Sequence, residues 1–210
     1  MDPADDTPGQ LLAAAMHLFG HQGYAATTTR AIAARAGANI GLIAYHFGGK
    51  PQLRLACADA VIGKLRQVTA ALETARAETP EQAMALMDST VGAVVGFMVA
   101  DPASEDMSAF VLREMAEGGE GFDRLYRQVF VSRHSALCRL WAAATGRAAE
   151  SEEVRLAVFA MIGQVVYFRI GRPLIQRRMG WSSLGPPEAQ QIAGIIRRNL
   201  RASIERSRLS

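Results

Sequence analysis

Polar and small side chains occupy three places in the first fifty residues, at spacings that suit contact with a nucleic acid. Thr28, Thr29 and Arg30 follow one another, and at a helix start such groups, with free backbone N–H groups, can hold a phosphate oxygen. Lys50 adds a point charge. The third group combines polar side chains with small and apolar residues, a composition that suits a helix in a major groove. Its members are Asn39, Ile40, Gly41, Tyr45 and His46. The pattern predicts a DNA-binding surface.

Charged residues are segregated along the chain, although the net charge is only +3. No acidic residue stands between Thr7 and Ala58, whereas residues 73–123 hold eleven acids and two arginines. Residues 124–210 hold fifteen arginines against five acids. The acid-free segment favours a polyanionic partner. Charge by itself also fits ordinary solvated helix faces, so the prediction depends on the spacing of the polar residues.

Apolar residues recur at helical spacing along nearly the whole chain, and half of the 210 residues are hydrophobic. This composition supports a real core, and the absence of alternating strands predicts an all-α fold. Cys57 and Cys138 are expected to be reduced thiols. Caps and breaking residues place the helices at 10–20, 28–36, 39–47, 51–76, 80–100, 104–117, 121–145, 151–171 and 188–204, with Thr28, Asn39, Thr79 and Ser151 as N-caps.

The two short helices at 28–36 and 39–47 match the geometry of a helix-turn-helix. Gly37 and Ala38 form the tight turn between them, and a longer helix precedes the pair. A unit of this size needs a small core of its own, for which we expect Leu11, Met16, Phe19, Ile32, Ile43 and Phe47. Paired short helices also occur in bundles that bind no nucleic acid.

The same segment resembles the DNA-binding domain of the TetR family of transcriptional regulators. The resemblance rests on Gly23-Tyr24, Thr27 to Arg30, Ile32-Ala33, Ala36-Gly37, Gly41, Tyr45 to Lys50 and Leu53. It implies a three-helix DNA-binding domain at 8–56, with DNA contacts from Thr28, Thr29, Arg30, Asn39, Ile40, Gly41, Tyr45, His46 and Lys50. Leu42 and Ala44 depart from the family pattern, so base preference is open at these two positions.

The remainder, residues 57–210, is then expected to be a larger helical domain that binds a ligand and forms a dimer. Phe168 to Leu174 and Leu112 to Met115 resemble the C-terminal domain of a CerR-like subgroup. From Leu156 to Phe168 the predicted helix is apolar around its circumference, which calls for a partner on each side. Together with the helix at 188–204 it predicts a homodimer through 152–171 and 188–204, and twofold symmetry predicts a palindromic operator.

Polar or aromatic residues on apolar stripes are candidates for an effector pocket: Phe110, Glu114, Tyr126, Phe130, His134, Tyr167 and Arg169. A buried Glu114 would need a cationic partner, for which Arg169 or Arg172 is available, and this structural pair is the favoured interpretation over ligand contact. His134 and Cys138 could hold a metal at their four-residue spacing, but no second pair accompanies them. We expect neither a metal nor another cofactor.

The sequence thus favours a DNA-binding transcriptional regulator, a repressor that a small-molecule effector releases from its operator. An all-α enzyme is the alternative, although no nucleophile elbow, phosphate loop, zinc-binding histidine pair or convincing carboxylate pair is evident. A structural adaptor without DNA is a third possibility. Met1 to Thr7 carries Asp2, Asp5 and Asp6 and no basic residue, and no apolar run reaches the length of a membrane span. We therefore expect a cytoplasmic protein without a membrane partner.

Overall fold

The computed structural model describes residues 7–209. Asp2, Asp5 and Asp6, on which the argument against an export signal rests, lie outside the described residues. Within 7–209 all regular structure is helical, which confirms the all-α prediction. The helices are α1 Thr7–Gln22, α2 Thr29–Ala36, α3 Gly41–Phe47, α4 Lys50–Val68, α5 Pro80–Val95, α6 Ser104–Glu117, α7 Glu120–Leu125, α8 Val131–Thr145, α9 Glu152–Ile170, α10 Arg172–Met179 and α11 Pro186–Leu209.

Side-chain caps begin three of these helices, as predicted. The hydroxyl of Thr28 accepts a hydrogen bond from Ala31 N–H at 3.1 Å, that of Thr79 from Gln82 N–H at 3.2 Å, and that of Ser151 from Val154 N–H at 3.3 Å. Each cap satisfies a backbone donor that the first helical turn leaves free.

Some predicted helix bounds differ from the observed ones, and α11 continues to Leu209, past the predicted end at residue 204. The helix expected to reach residue 76 ends at Val68, because Thr69 leaves helical geometry with φ −108° and ψ 25° and a short 3₁₀ turn follows. Helix α9 ends at Ile170, before Pro173, as predicted, but the helix α10 that follows it was not predicted. Pro173 lies in the first turn of α10, a position where its missing N–H costs nothing.

By backbone contacts the chain divides into two compact units. Unit 1 holds the described residues up to Leu65 together with 105–128, and unit 2 holds 66–104 and the described residues from 129 onward. The predicted domain boundary at residue 56 divides the chain at one point, and that point falls inside the continuous helix α4. The two units, by contrast, each combine separate stretches of the chain. Unit 1 takes in α6 and α7 in addition to the helix-turn-helix.

The core of unit 1 contains most of the apolar residues expected of the small N-terminal core. Leu11, Met16, Phe19, Ile32 and Ile43 are buried as predicted, whereas Phe47 is half-buried. Leu53 from α4, Phe110 from α6 and Leu125 from α7 are also completely buried in this unit. The short helices therefore fold with support from helices far along the chain.

Unit 2 is built around a core to which α5, α8, α9 and α11 contribute. Met87, Leu137, Trp141, Val158 and Ile196 are among its buried side chains. Helix α5 continues as a short π-helical segment, Gly96–Ala100, and by length and composition alone the combined stretch Pro80–Ala100 is apolar enough to cross a membrane. Helices α9 and α10 meet the same criterion only if they are taken together as one span, bent by 73°. Since Met87 and Val95 are completely buried in the core of unit 2, α5 has the character of a core helix.

Candidate nucleic-acid interface

The link between α1 and α2 is fixed by a buried threonine. Thr27 is 1% exposed, and its hydroxyl lies 2.8 Å from the Gly23 carbonyl and 3.2 Å from the Leu18 carbonyl. Gly23 has φ +85°, a conformation that favours glycine. These contacts fix the conformation of the loop and with it the position of Thr28 at the start of α2.

The turn between α2 and α3 has the geometry of a helix-turn-helix. Gly37 adopts the left-handed conformation with φ +65°, and its N–H and that of Ala38 donate to carbonyls of the last turn of α2. Asn39 Oδ1 then accepts from Gly41 N–H at 2.8 Å. Although Ile40 immediately precedes α3, the predicted capping role of Asn39 is confirmed by this bond.

Helix α3 is anchored by one residue and leaves the rest of its surface open. Ile43 is 1% exposed, whereas Tyr45 is 80% and Ile40 48% exposed. Asn39, Gly41 and His46 are exposed as well. The rings of Tyr45 and His46 meet edge to face, with centroids 4.8 Å apart. All five residues that were predicted to suit a major groove are therefore exposed, three of them on α3 and two, Asn39 and Ile40, just before it.

The predicted phosphate contacts occupy the start of α2 and the start of α4. Arg30 is exposed and Thr29 half-buried. Thr28 is exposed, and its oxygen already accepts the capping bond, so only its O–H remains to donate to a phosphate. The segment from Thr7 to Ala58 itself contributes no carboxylate to this surface that would repel DNA.

Lys50 is held more firmly than a free point charge would be. Its Nζ donates to the carbonyl of Tyr24 at 2.6 Å and lies 4.1 Å from the centroid of the Tyr24 ring. The guanidinium of Arg54 lies 4.6 Å from the same ring. Burial and the positive charge of Arg54 both lower the pKa of Lys50. Sequence reasoning missed Tyr24 and Arg54 as positioning residues. Because residues four apart lie on the same face of a helix, the spacing of Lys50 and Arg54 could have indicated that they are neighbours.

The buried carboxylate of Glu114 pairs with Arg54. Arg54 Nε donates to Oε1 at 2.6 Å and Nη2 to Oε2 at 3.0 Å, so both carboxylate oxygens are engaged. Burial raises the pKa of Glu114, while the hydrogen bonds from Arg54 act in the opposite direction. The need for a cation was correctly predicted, but the predicted partners Arg169 and Arg172 are wrong, because α4 of the same unit supplies the guanidinium.

The remaining effector candidates lie in different surroundings. In unit 1, Phe110 is completely buried and Tyr126 is 51% exposed; in unit 2, Tyr167 is 54% exposed, and Phe130 and Arg169 are half-buried. His134 packs on Phe159 with ring centroids 4.1 Å apart, and its Nδ1 lies 3.6 Å from Cys138 Sγ. A groove of about 510 Å³ in unit 2 is lined by residues outside this candidate set: Glu73 to Ala77, Arg139, Leu140 and Ala143.

Comparison with known proteins agrees with this geometry. Residues 11–57 match the family model of bacterial regulatory proteins of the tetR family. Residues 80–206 match that of the C-terminal domain of the HTH-type transcriptional dual regulator CecR. The curated CecR of Shigella flexneri is 34% identical over 190 residues, which cover 87% of this chain and 84% of that protein. The chain belongs to the TetR family of transcriptional regulators. Its C-terminal domain is of the CecR type, which corrects the predicted subgroup name.

Solved structures show the TetR-type fold over almost the whole chain. A structure from Pseudomonas aeruginosa PAO1 aligns with a TM-score of 0.66 at 18% identity, covering 99% of this chain and 96% of that one. A TetR-like transcriptional regulator from Rhodococcus sp. RHA1 aligns with a TM-score of 0.60 at 18% identity, covering 96% and 99% of the two chains. At these identities the likeness concerns the fold.

Proposed function

We propose that this TetR-family regulator acts in the cytoplasm as a homodimer, binds a palindromic operator and leaves it when a small-molecule effector binds. The observation that carries the proposal is the open surface of α3 within an acid-free segment. Tyr45 is 80% exposed, and His46 beside it is exposed as well, so the polar tips of both side chains are open to base edges in a major groove. The operator is the partner that this surface fits.

In the proposed complex, α3 enters the major groove and the ends of two other helices hold the backbone. Asn39, Tyr45 and His46 offer hydrogen-bonding tips to base edges, and Gly41 permits close approach. The contacts of Thr28, Thr29, Arg30 and Lys50 go to phosphates, which supply affinity and make it depend on salt. Ile40 gives an apolar contact of the kind that reads a thymine methyl group.

The dimer is supported by an apolar stripe on α9. Val154, Val158 and Met161 are buried within unit 2, whereas residues at helical spacing on another face are exposed. That face carries Leu156, Phe159, Tyr167 and Ile170, each more than half exposed. A stripe of this length in water is typical of an interface, and α11 adds Ile195 at 45% exposure. We therefore infer that helices 152–171 and 188–204 form a symmetric contact with a second copy.

The effector would act by preferring the arrangement of two subunits that cannot span both half-sites, and it can shift the equilibrium only by its difference in affinity for the two states. Its proposed contacts are the candidates of unit 2, Phe130, His134, Tyr167 and Arg169. In unit 1, Tyr126 remains a candidate, whereas Phe110 is completely buried and Glu114 is held by Arg54. The Shigella flexneri relative is described as a dual regulator, so reporter assays should score both repression and activation. We propose repression, and we propose no enzymatic activity.

A binding assay with matched tyrosine variants tests the DNA interface. Fluorescence anisotropy on intergenic DNA flanking the gene, against a random duplex, should show specific binding that weakens steeply with salt. Tyr45→Ala should weaken specific binding by about 1–3 kcal/mol. Tyr126→Ala removes another tyrosine, 51% exposed, and should leave DNA affinity unchanged. Equal affinity of the wild type for both duplexes would refute the proposal.

Sedimentation tests the dimer with two exposed leucines. Leu156, 59% exposed, lies on the stripe of α9, and Leu174, 63% exposed, lies on α10 outside the proposed contact. Leu156→Arg should convert the dimer to a monomer because a guanidinium would be buried without a partner. Leu174→Arg should leave the mass unchanged. A monomeric wild type, or a dimer unaffected by Leu156→Arg, would exclude this interface.

A further inference from the structure

Two histidines lie one turn apart on α1, outside the DNA-facing surface. His17 and His21 are separated by four residues, and their ring centroids lie 4.4 Å apart with planes tilted by 39°. Two imidazoles at this spacing project from one side of a helix, which is a common arrangement in metal sites. The sequence analysis weighed His134 and Cys138 at the same spacing but overlooked this pair.

A carboxylate from α6 meets both rings. His17 Nδ1 lies 2.9 Å from Asp106 Oδ1, and His21 Nε2 lies 3.1 Å from the same oxygen. One ligand atom from each of the three residues lies within 4.8 Å of the other two. Two nitrogens and one oxygen thus converge on a single small volume.

The two nitrogen-to-oxygen separations are close to those that a metal ion imposes, and the two histidine nitrogens lie within 4.8 Å of each other. Ligands at about 2.0–2.1 Å from a tetrahedral Zn²⁺ lie about 3.3 Å from one another. The nitrogen-to-oxygen distances of 2.9 and 3.1 Å need only a few tenths of an ångström of expansion. The side chains of His17, His21 and Asp106 are 29%, 42% and 39% exposed, so water can reach the open coordination positions.

Helices α1 and α6 are also in close contact beside this cluster. A Cβ on Gly20, between the two histidines, would stand 2.8 Å from the backbone nitrogen of Phe110 on α6. The backbones that carry the ligands therefore approach each other directly at this point. Side chains on rigid, closely packed elements are held near one geometry, which lowers the cost of assembling a site.

We propose that His17, His21 and Asp106 bind one divalent transition-metal ion of the class that imidazole and carboxylate ligands share, such as Zn²⁺, Co²⁺ or Ni²⁺. The ion fastens α1 to α6 within unit 1. Because the three residues include none of the proposed DNA contacts, the proposal goes beyond the proposed function and is tested without DNA.

The test uses the full chain without a histidine tag, treated with a chelator and then titrated with Co²⁺ under visible absorption. We expect one equivalent to bind per chain, Zn²⁺ to displace it, and Zn²⁺ to raise the melting temperature. Asp106→Asn keeps an oxygen that can accept one histidine hydrogen bond but removes the charge, and should raise the dissociation constant at least about tenfold. His21→Gln lies at a more exposed position and should give the same loss if Asp106→Asn folds poorly.

His134→Gln is the matched control, since it removes a histidine of unit 2 at the same spacing from a potential ligand. It should leave Co²⁺ affinity and stoichiometry unchanged. The proposal is overturned if the wild type binds no Co²⁺, which would mean a hydrogen-bonded cluster only. It is overturned equally if His134→Gln abolishes binding, or if the spectrum shows a thiolate ligand, because Cys138 would then be the metal's partner.

Discussion

Replacing Glu114 with glutamine should destabilise unit 1 far more than any exposed change on the same helix. Glu114 is 1% exposed and receives two hydrogen bonds from Arg54. In Glu114→Gln the amide oxygen can accept only one side of the fork, and the amide nitrogen faces a donor. Breaking a buried ion pair in this way typically costs about 3–5 kcal/mol. Since the Arg54 side chain is 15% exposed and water can reach it, we expect about 3 kcal/mol.

For a chain of this size, about 3 kcal/mol corresponds to a fall of roughly 6–12 °C in melting temperature. Circular dichroism follows both units, whereas tryptophan fluorescence follows unit 2, because both tryptophans, Trp141 and Trp181, lie there. The shift should therefore appear in circular dichroism, and its appearance in fluorescence reports whether the units unfold together. Urea titration of the same samples gives the free energy directly.

Glu117→Gln is the matched control for this experiment. Glu117 lies one turn further along α6 with 34% of its side chain exposed, and its carboxylate is 3.9 Å from Arg54 Nη2. An ion pair of that kind contributes about 0–1 kcal/mol. If Glu114→Gln costs no more than Glu117→Gln, the fork between Arg54 and Glu114 does not hold α4 to α6, and the reasoning fails.

Two further predictions concern close packing and buried thiols. Gly20→Ala should destabilise the protein by about 1–3 kcal/mol in urea titration, because a Cβ there would stand 2.8 Å from Phe110 N. Gly63→Ala is the control, since a Cβ at Gly63 would meet open space, and it should be neutral or stabilising. Equal changes in the free energy of unfolding for the two variants would contradict the packing argument. Cys57 and Cys138 are completely buried, and burial raises the pKa of both thiols; a disulfide reagent at pH 8 should therefore label neither until urea unfolds the protein, so prompt labelling of the native chain would refute this.

The part of the structure that could be predicted from the sequence is the part set by local chemistry. Both ends of the short helix α2 are set by residues next to it in the sequence: Thr28 caps its start, and Gly37 ends it in the left-handed conformation. The acid-free segment and the exposed tips of α3 are likewise visible along the chain. The wrongly predicted end of α4, which stops at Val68, has a different origin. The hydroxyl of Thr69 accepts a hydrogen bond at 2.8 Å from Arg133, a residue 64 positions further along the chain.

Long-range pairing explains what the sequence could not supply. A buried Glu114 demands a cation wherever it lies, so the need was predictable, but the partner Arg54 is 60 residues away and is chosen by the packing of α4 with α6. The same holds for Asp106, which meets His17 across 89 residues. Hydrophobic periodicity predicts which face of a helix is buried, but it does not say which polar residues two packed helices bring together.

Gly121 shows how far such pairing reaches into the choice of residues. Gly118 and Gly119 have φ +71° and +95°, so the break between two helices accounts for glycine at both positions. Gly121 lies inside α7 and has no such conformation. A Cβ at that position would overlap the carboxylate of Glu114. In the sequence the three glycines look like one breaking signal, yet the third is required by the buried ion pair, because only glycine leaves room for the Glu114 carboxylate to keep its hold on Arg54.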